Sequence, residues 1–208
     1  GDLSITGGRD INAGSLNVAG ALRMTSARDA SVVTANVGDT LTLSSGQHAT
    51  VGTAHVGGLG DVQAAGALQV QNYEGGQSLT TTSGGASDFG NVRLTAGDLS
   101  ANAGGTLTAS AIDTRAGYTA LTSAGNMDVT TANVSGNAHM QSAAAMQLGT
   151  VQAAADIHAT AGTTLNVNHF EAGRNGTLVA GDALSFGSVS AGGNLIGTSH
   201  KADIRGNS

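Results

Sequence analysis

The 208-residue chain contains no cysteine, no proline and no tryptophan, and only 2% of it is aromatic. Without cysteine it can form neither a disulfide scaffold nor a thiolate metal site. With so few aromatics, burial must rest on Ala, Val, Leu, Ile and a few Met, so the core is expected to be thin. Charge is scarce as well: Asp, Glu, Lys and Arg make up 11% of the chain, against roughly 25% in ordinary soluble domains. The surface must therefore consist largely of Thr, Ser, Asn, Gln and Gly. The net charge is -6 and no Lys/Arg cluster occurs, so the electrostatic footprint of a phosphate-binding surface is missing and no nucleic-acid partner is expected. No run approaches the 18 or so consecutive apolar residues of a membrane-crossing helix, and no membrane span is expected. Gly1 is not followed by a basic segment and an apolar stretch of signal-peptide type. The chain starts in mid-pattern and reads as an excerpt of a longer array.

Disorder is opposed by the balance of a 39% hydrophobic content with little charge. The chain is instead periodic. Steps of 19 residues from Leu3 reach Leu22 and Leu41; from Ile5, Met24 and Leu43; from Val18, Val37 and Val56. A second set runs through Met127, Met146, Leu165 and Leu184. Within each copy the apolar residues come in pairs two apart, such as Leu3/Ile5, Ile11/Ala13 and Leu16/Val18. Two is the period of a strand, whereas a helix would need spacings of three and four. Gly, Asn, Asp and Ser cluster between pairs, as in Gly7-Gly8-Arg9-Asp10, where the backbone must turn.

Three short strands and three corners per copy predict an all-β fold, a right-handed parallel β-helix of about 19-residue coils, roughly eleven in number. The whole chain, 1–208, is expected to be a single β-helical segment. The two sets of ladders are out of step, which predicts irregular register over residues 58–125. Within it, residues 72–77 (Asn-Tyr-Glu-Gly-Gly-Gln) and 83–90 (Ser-Gly-Gly-Ala-Ser-Asp-Phe-Gly) are the expected sites of an enlarged corner and of any distinctive surface.

The repeat units Gly-Gly-Thr-Leu-Thr-Ala at 104–109, Ala-Gly-Thr-Thr-Leu-Asn-Val at 161–167 and Ala-Gly-Asp-Ala-Leu-Ser-Phe at 180–186 resemble the central repeat region of the filamentous haemagglutinin family of bacterial exoproteins. Similar units occur in other β-helical adhesins and in contact-dependent inhibition stalks. The resemblance covers nearly the whole chain. It implies secretion by a Gram-negative bacterium through an outer-membrane transporter, in two-partner secretion, and a role in adhesion and virulence at the cell surface. It does not imply that this segment engages the transporter, because the family's Asn-Pro-Asn-type secretion motif cannot occur in a chain without proline.

Several residues invite a chemical reading. His139 and His158, 19 apart, should stack on the outer face, but no third ligand accompanies them and no metal site is expected. Asn17, Asn36 and His55 should form a polar ladder of the kind found in stacked strands. Asp10 and Asp29, followed by His48, lie beside Arg9 and Arg28, so they read as charge-balanced rather than catalytic. An enzyme on this scaffold would need converging acids and bases; none is concentrated here, and neither catalytic residues nor a cofactor is expected. Gly-Gly-Ala-Ser-Asp at 84–88 is a single partial match to a calcium-binding repeat. Glycans usually bind an exposed aromatic platform; of the two tyrosines, Tyr73 and Tyr118, Tyr73 with Glu74 beside it is the expected ligand contact. The function expected is that of a structural rod in a secreted or surface adhesin, supporting attachment to host cells. The alternatives are a glycan- or receptor-binding module with its site near residues 72–90, or the stalk of a contact-dependent inhibition toxin.

Overall fold

The structure, a computed structural model, describes residues 1–206. It is a β-solenoid of about eleven coils, without helix among the described residues. Each coil contributes a five-residue strand, such as Leu22–Ser26, and an eight-residue strand, such as Ala30–Val37. The short strands pair with one another in one parallel 11-stranded sheet and the long strands in a second, from Leu3–Gly7 at one end to Ile204–Gly206 at the other. At about 4.8 Å between neighbouring strands, eleven coils span on the order of 50 Å.

The three inward pairs anticipated for each coil are present, but only two strands carry them. In Ala30–Val37 the buried residues are Ala30, Val32, Ala35 and Val37, so the spacing runs two, three, two. The step of three reverses which side faces inward. That bend is the third corner, and it is absorbed into a continuous strand. Pairing passes over one residue there: Ala13 aligns with Val32 and Ser15 with Thr34, while Gly14 and Val33 stand out of the ladder. A bend of one or two residues needs no cluster of turn formers, which is why the long strand looks like two in the sequence.

Side chains of the same rank superpose from coil to coil. Leu22 lies under Leu41, Met24 under Leu43, and Val37 under Val56. These ladders form one continuous apolar core. At the last coils the core is open, with Leu195 and Ile204 exposed, while Ile196 stands in the outward rank of Thr177 and His158.

The change of spacing lies within residues 58–125 but at corners other than the two stretches singled out in the sequence. Residues 72–77 and 83–90 sit on regular coils, since Asn72 aligns with Asn91 and Ser87 with Leu68, both 19 apart. The spacing becomes 20 where Leu79 meets Leu99 and Leu99 meets Thr119, and returns to 19 where Thr119 meets Ala138. The corners after the long strands Ser87–Leu94 and Leu107–Thr114 therefore hold four residues, 95–98 and 115–118, in place of three. Gly97, in the first of them, has φ +78°, the left-handed region that the extra turn requires. The Met127/Met146/Leu165/Leu184 ladder continues the long-strand rank of Ile11, Ala30, Ala49 and Leu68, not that of Leu3, and two inserted residues account for its departure from steps of 19. A third four-residue corner, 200–203, precedes the final strand.

Two of the large buried rings, Tyr73 and Phe170, lie where glycines make room. Tyr73 takes a core rank that is Ala54 in the preceding coil and is 1% exposed. A Cβ on Gly60 would run into its hydroxyl and lie 2.9 Å from its Cζ, and one on Gly75 would come within 2.7 Å of its Cε1. Phe170, of the same rank, is matched by Gly176, whose Cβ would lie 2.7 Å from the Phe170 ring. Gly60 and Gly176 stand in the rank that holds Leu22 and Leu41 elsewhere. Gly60→Ala should destabilise the chain by about 1–3 kcal/mol through overpacking, and Tyr73→Ala by about 3–5 kcal/mol through a cavity. The double variant Gly60→Leu/Tyr73→Ala restores the Leu41/Ala54 pattern at nearly constant combined volume. In urea unfolding it should recover most of the loss of the Tyr73→Ala single variant; an additive loss would mean that the two positions do not share space.

Candidate functional surface

The corners are braced by side chains that bond to the backbone one coil on. Asp10 Oδ1 accepts the Asp29 amide at 3.4 Å, Asp29 Oδ1 the His48 amide at 3.1 Å, and His48 Nδ1 the Ala67 amide at 3.0 Å. At the other corner the same device runs from Asn137 to Asp156 to Asn175 to Asn194, at 3.0–3.1 Å. The Asn175 backbone amide, then its side-chain amide and the Arg174 guanidinium, hold Asp156 below the usual carboxylate range. Asp10 and Asp29 are thus corner acceptors, with Arg28 3.5 Å from Asp10. A ladder of small residues does related work from inside. The Ser45 hydroxyl, with one proton to donate, lies 2.5 and 2.7 Å from the Arg28 and His48 carbonyl oxygens, and that of Ser142 lies 2.8 and 3.1 Å from those of Gly125 and Ala145. Its signal, Ser26/Ser45/Ala64/Ser83 at steps of 19, was open to sequence reading but lay outside the apolar ladders.

The expected ligand contact at Tyr73 is overturned by its burial: the phenol lies in the core, its hydroxyl has no hydrogen-bond partner, and burial pushes its pKa well above the ordinary range. A core ring cannot serve as a glycan platform. Glu74, the next residue, points outward and meets His55 Nδ1 at 3.0 Å. Tyr118 is the exposed tyrosine, at 45%, and stands on the enlarged corner 115–118.

Glu74 belongs to a polar ladder on the long strands that begins at Asn17 and Asn36, whose side chains bond at 2.7 Å, and continues through His55, Glu74, Arg93 and Asp113. Beside this ladder, where each long strand enters its corner, a groove runs along the rod. Its first part, about 840 Å³, has as rim the side chains of Asn17, Asn36, His55, Glu74 and Arg93 and as floor Val18, Val37, Val56 and Gly75. Its far side is made of Ala19, Gly38, Gly57 and Gly76. A second part, about 760 Å³, continues from Asp113 and Arg115 to Glu171. The two parts meet at the enlarged corners, where Asp113 receives Arg93 at 3.6 Å and Arg115 at 3.1 Å.

His139 and His158 stack face to face, with ring centroids 5.2 Å apart and planes 4° from parallel. Thr160 Oγ1 lies 3.0 Å from His158 Nε2. Among the described residues no group of three or more His, Cys, Asp or Glu is placed to hold a metal. No family model, curated protein or solved structure matches the chain.

Partial burial and then the neighbouring His139 hold the His158 pKa below its ordinary 6.5. Between the lowered folded value and 6.5 the unfolded chain binds more protons, so stability rises with pH in that window. The contribution is fully present above pH 6.5 and is lost as pH falls through the folded pKa. The urea midpoint should therefore drop on acidification below about pH 6.5, and His158→Gln should make that drop smaller. An unchanged pH profile in the variant would show that the stacked pair does not titrate in this way.

Proposed function

We propose that the chain is a stiff structural section of a secreted or cell-surface bacterial filamentous adhesin, holding attachment or effector parts away from the cell. The observation that carries this reading is the uninterrupted stacking: two 11-stranded parallel sheets share one core, and the corner backbone is laddered too, as in Gly38 N to Val18 O at 2.8 Å and Gly57 N to Val37 O at 2.8 Å. A rod of this kind resists bending because no coil can tilt without breaking both sheets and opening apolar surface that only stacking buries. The repeat units support the filamentous haemagglutinin resemblance, and the exposed Thr, Ser, Asn and Gln suit a surface that remains soluble with little charge. The lack of cysteine suits export of an unfolded chain.

The reading requires the chain to face the medium. Antibodies raised against the 208-residue chain should label intact cells that produce the protein; labelling that appears only after permeabilisation would refute a surface role. A rod also has a modular length. Deleting Ala30–His48, one 19-residue period, should leave a cooperative fold shorter by about 5 Å, measured by small-angle scattering. Deleting ten residues from Ala30 should abolish the fold, because the ladders beyond it fall out of register.

A further inference from the structure

We propose that the corner built around His48 is a proton-sensitive joint between two coils: the neutral imidazole holds the backbone of the next coil, and the protonated one releases it. This goes beyond the rod role and does not depend on it.

His48 is the last acceptor of the corner ladder that starts at Asp10. Asp10 and Asp29 accept backbone amides through carboxylate oxygens, whereas His48 accepts the Ala67 amide through Nδ1 at 3.0 Å. A ring nitrogen that accepts an N–H carries no proton, so the neutral ring is the Nε2–H tautomer. A carboxyl group, ionised or not, keeps an oxygen that can accept. The imidazole has no such reserve, because both nitrogens of its cation are donors. Once His48 binds a proton, Nδ1–H and the Ala67 N–H point at each other and the ring must turn away. Of the three links in this ladder, only the one from His48 to Ala67 requires an acceptor free of a proton.

The ring is seated on the next coil. A Cβ on Gly66 would come within 2.9 Å of Nδ1 and 3.0 Å of Cε1, so the glycine lets the imidazole lie against the backbone and reach the following amide. His48 is exposed, and protons reach it without any opening of the rod. Its charged surroundings are one-sided. In the corner before, Asp29 Oδ1 accepts the His48 amide at 3.1 Å, and Arg28 meets Asp10 at 3.5 Å. The corner after is Ala65-Gly66-Ala67, without a charge, and the flanking strands present Ser44, Thr50, Gln63 and Gln69. A protonated ring is therefore drawn back toward Asp29 and away from the coil it held.

The same rank contains a reference that does not titrate. Asn126 Oδ1 accepts the Ala145 amide, one coil on, at 3.3 Å. An asparagine at position 48 can make the bond that the histidine makes and keep it in acid.

Amide hydrogen exchange at Ala67 in the full 208-residue chain, followed by NMR and expressed as protection relative to the free-peptide rate, tests the proposal. Between about pH 8 and about pH 5, the span in which histidine changes charge, Ala67 protection should fall tenfold or more, in step with the titration of the His48 ring. The ring nitrogen shifts at the upper pH should report a proton on Nε2. His48→Asn should keep Ala67 protected at both ends of the span, and His48→Ala should leave it unprotected at both. Equal protection at both ends in the native chain, an equal fall in His48→Asn, undiminished protection in His48→Ala, or a proton on Nδ1 at the upper pH would overturn the proposal. The His48→Asn arm also separates this joint from the stacked His139/His158 pair, whose titration that substitution leaves in place.

Discussion

Every coil is held by hydrogen bonds to the coil before it, residue by residue and in parallel, and that constraint governs the rest of the molecule. It places equal ranks directly above one another at the strand spacing. Inside, each rank must carry side chains that pack on their own copies, which gives the Leu22/Leu41, Val32/Val51/Val70 and Met127/Met146/Leu165 ladders. Outside, each rank must tolerate a near copy of itself. Uncharged amides do so by bonding in series, as Asn36 does to Asn17 and Asn91 to Asn72. Like charges repel at this distance; along the long strands the stacked charges alternate, as in Glu74, Arg93 and Asp113, and at the corner where Asp10 and Asp29 stack, Arg28 lies beside Asp10. The low charge of the composition follows from the stacking.

The same constraint dictates where insertions can go. One extra residue inside a strand would turn every later side chain to the opposite face. In a corner it only enlarges a turn, and the extra residues of 95–98 and 115–118 lie there. The two enlarged corners are adjacent because a bulge in one coil leaves backbone that the next must cover. Asp98 N donates to Ser78 Oγ at 2.9 Å, and Asp98 Oδ1 in turn accepts the Tyr118 amide at 2.9 Å. The interior has no comparable freedom. Its width is set by two short faces and a bend, and Tyr73 enters where Gly60 and Gly75, and Phe170 where Gly176, withdraw their side chains. Tyr73 then leaves its hydroxyl unpartnered, as does Thr81 in the adjoining coil, a local cost of about 1–3 kcal/mol for each buried unsatisfied group.

Much of the fold was legible in the sequence because stacking writes itself as a period. The 19-residue step, the inward pairs and the polar ladders at Asn17/Asn36 and His139/His158 could all be read directly. Two things could not. The third corner is a change of parity within one strand and leaves no turn residues as a marker. The offset between ladders was visible, but its cause, single residues inserted into two corners, is smaller than the glycine-rich stretches at 72–77 and 83–90 that drew attention. The misplacement of Tyr73 has the same origin. Its neighbours Gly75 and Gly76 look like a loop, yet Gly75 is a core rank emptied to admit the ring. Counted from Leu3 in steps of 19, residue 60 falls on an inward ladder, and a glycine there next to a tyrosine of inward rank was the signal that the two compensate.

A surface that repeats at the coil spacing carries little information across the rod, because each face shows the same rank over and over. Information can enter along the axis, where the sequence of ranks differs from coil to coil, or at a break in period. The ladder Asn17, Asn36, His55, Glu74, Arg93, Asp113 varies more in chemistry than the Thr/Ser rank through Thr6, Thr25 and Ser44. It borders the corner where Ala19, Gly38, Gly57 and Gly76 leave the rod unfilled, and it runs into the enlarged corners at Arg93 and Asp113. Variation in rank, open volume and a break in period therefore coincide on one edge of the rod.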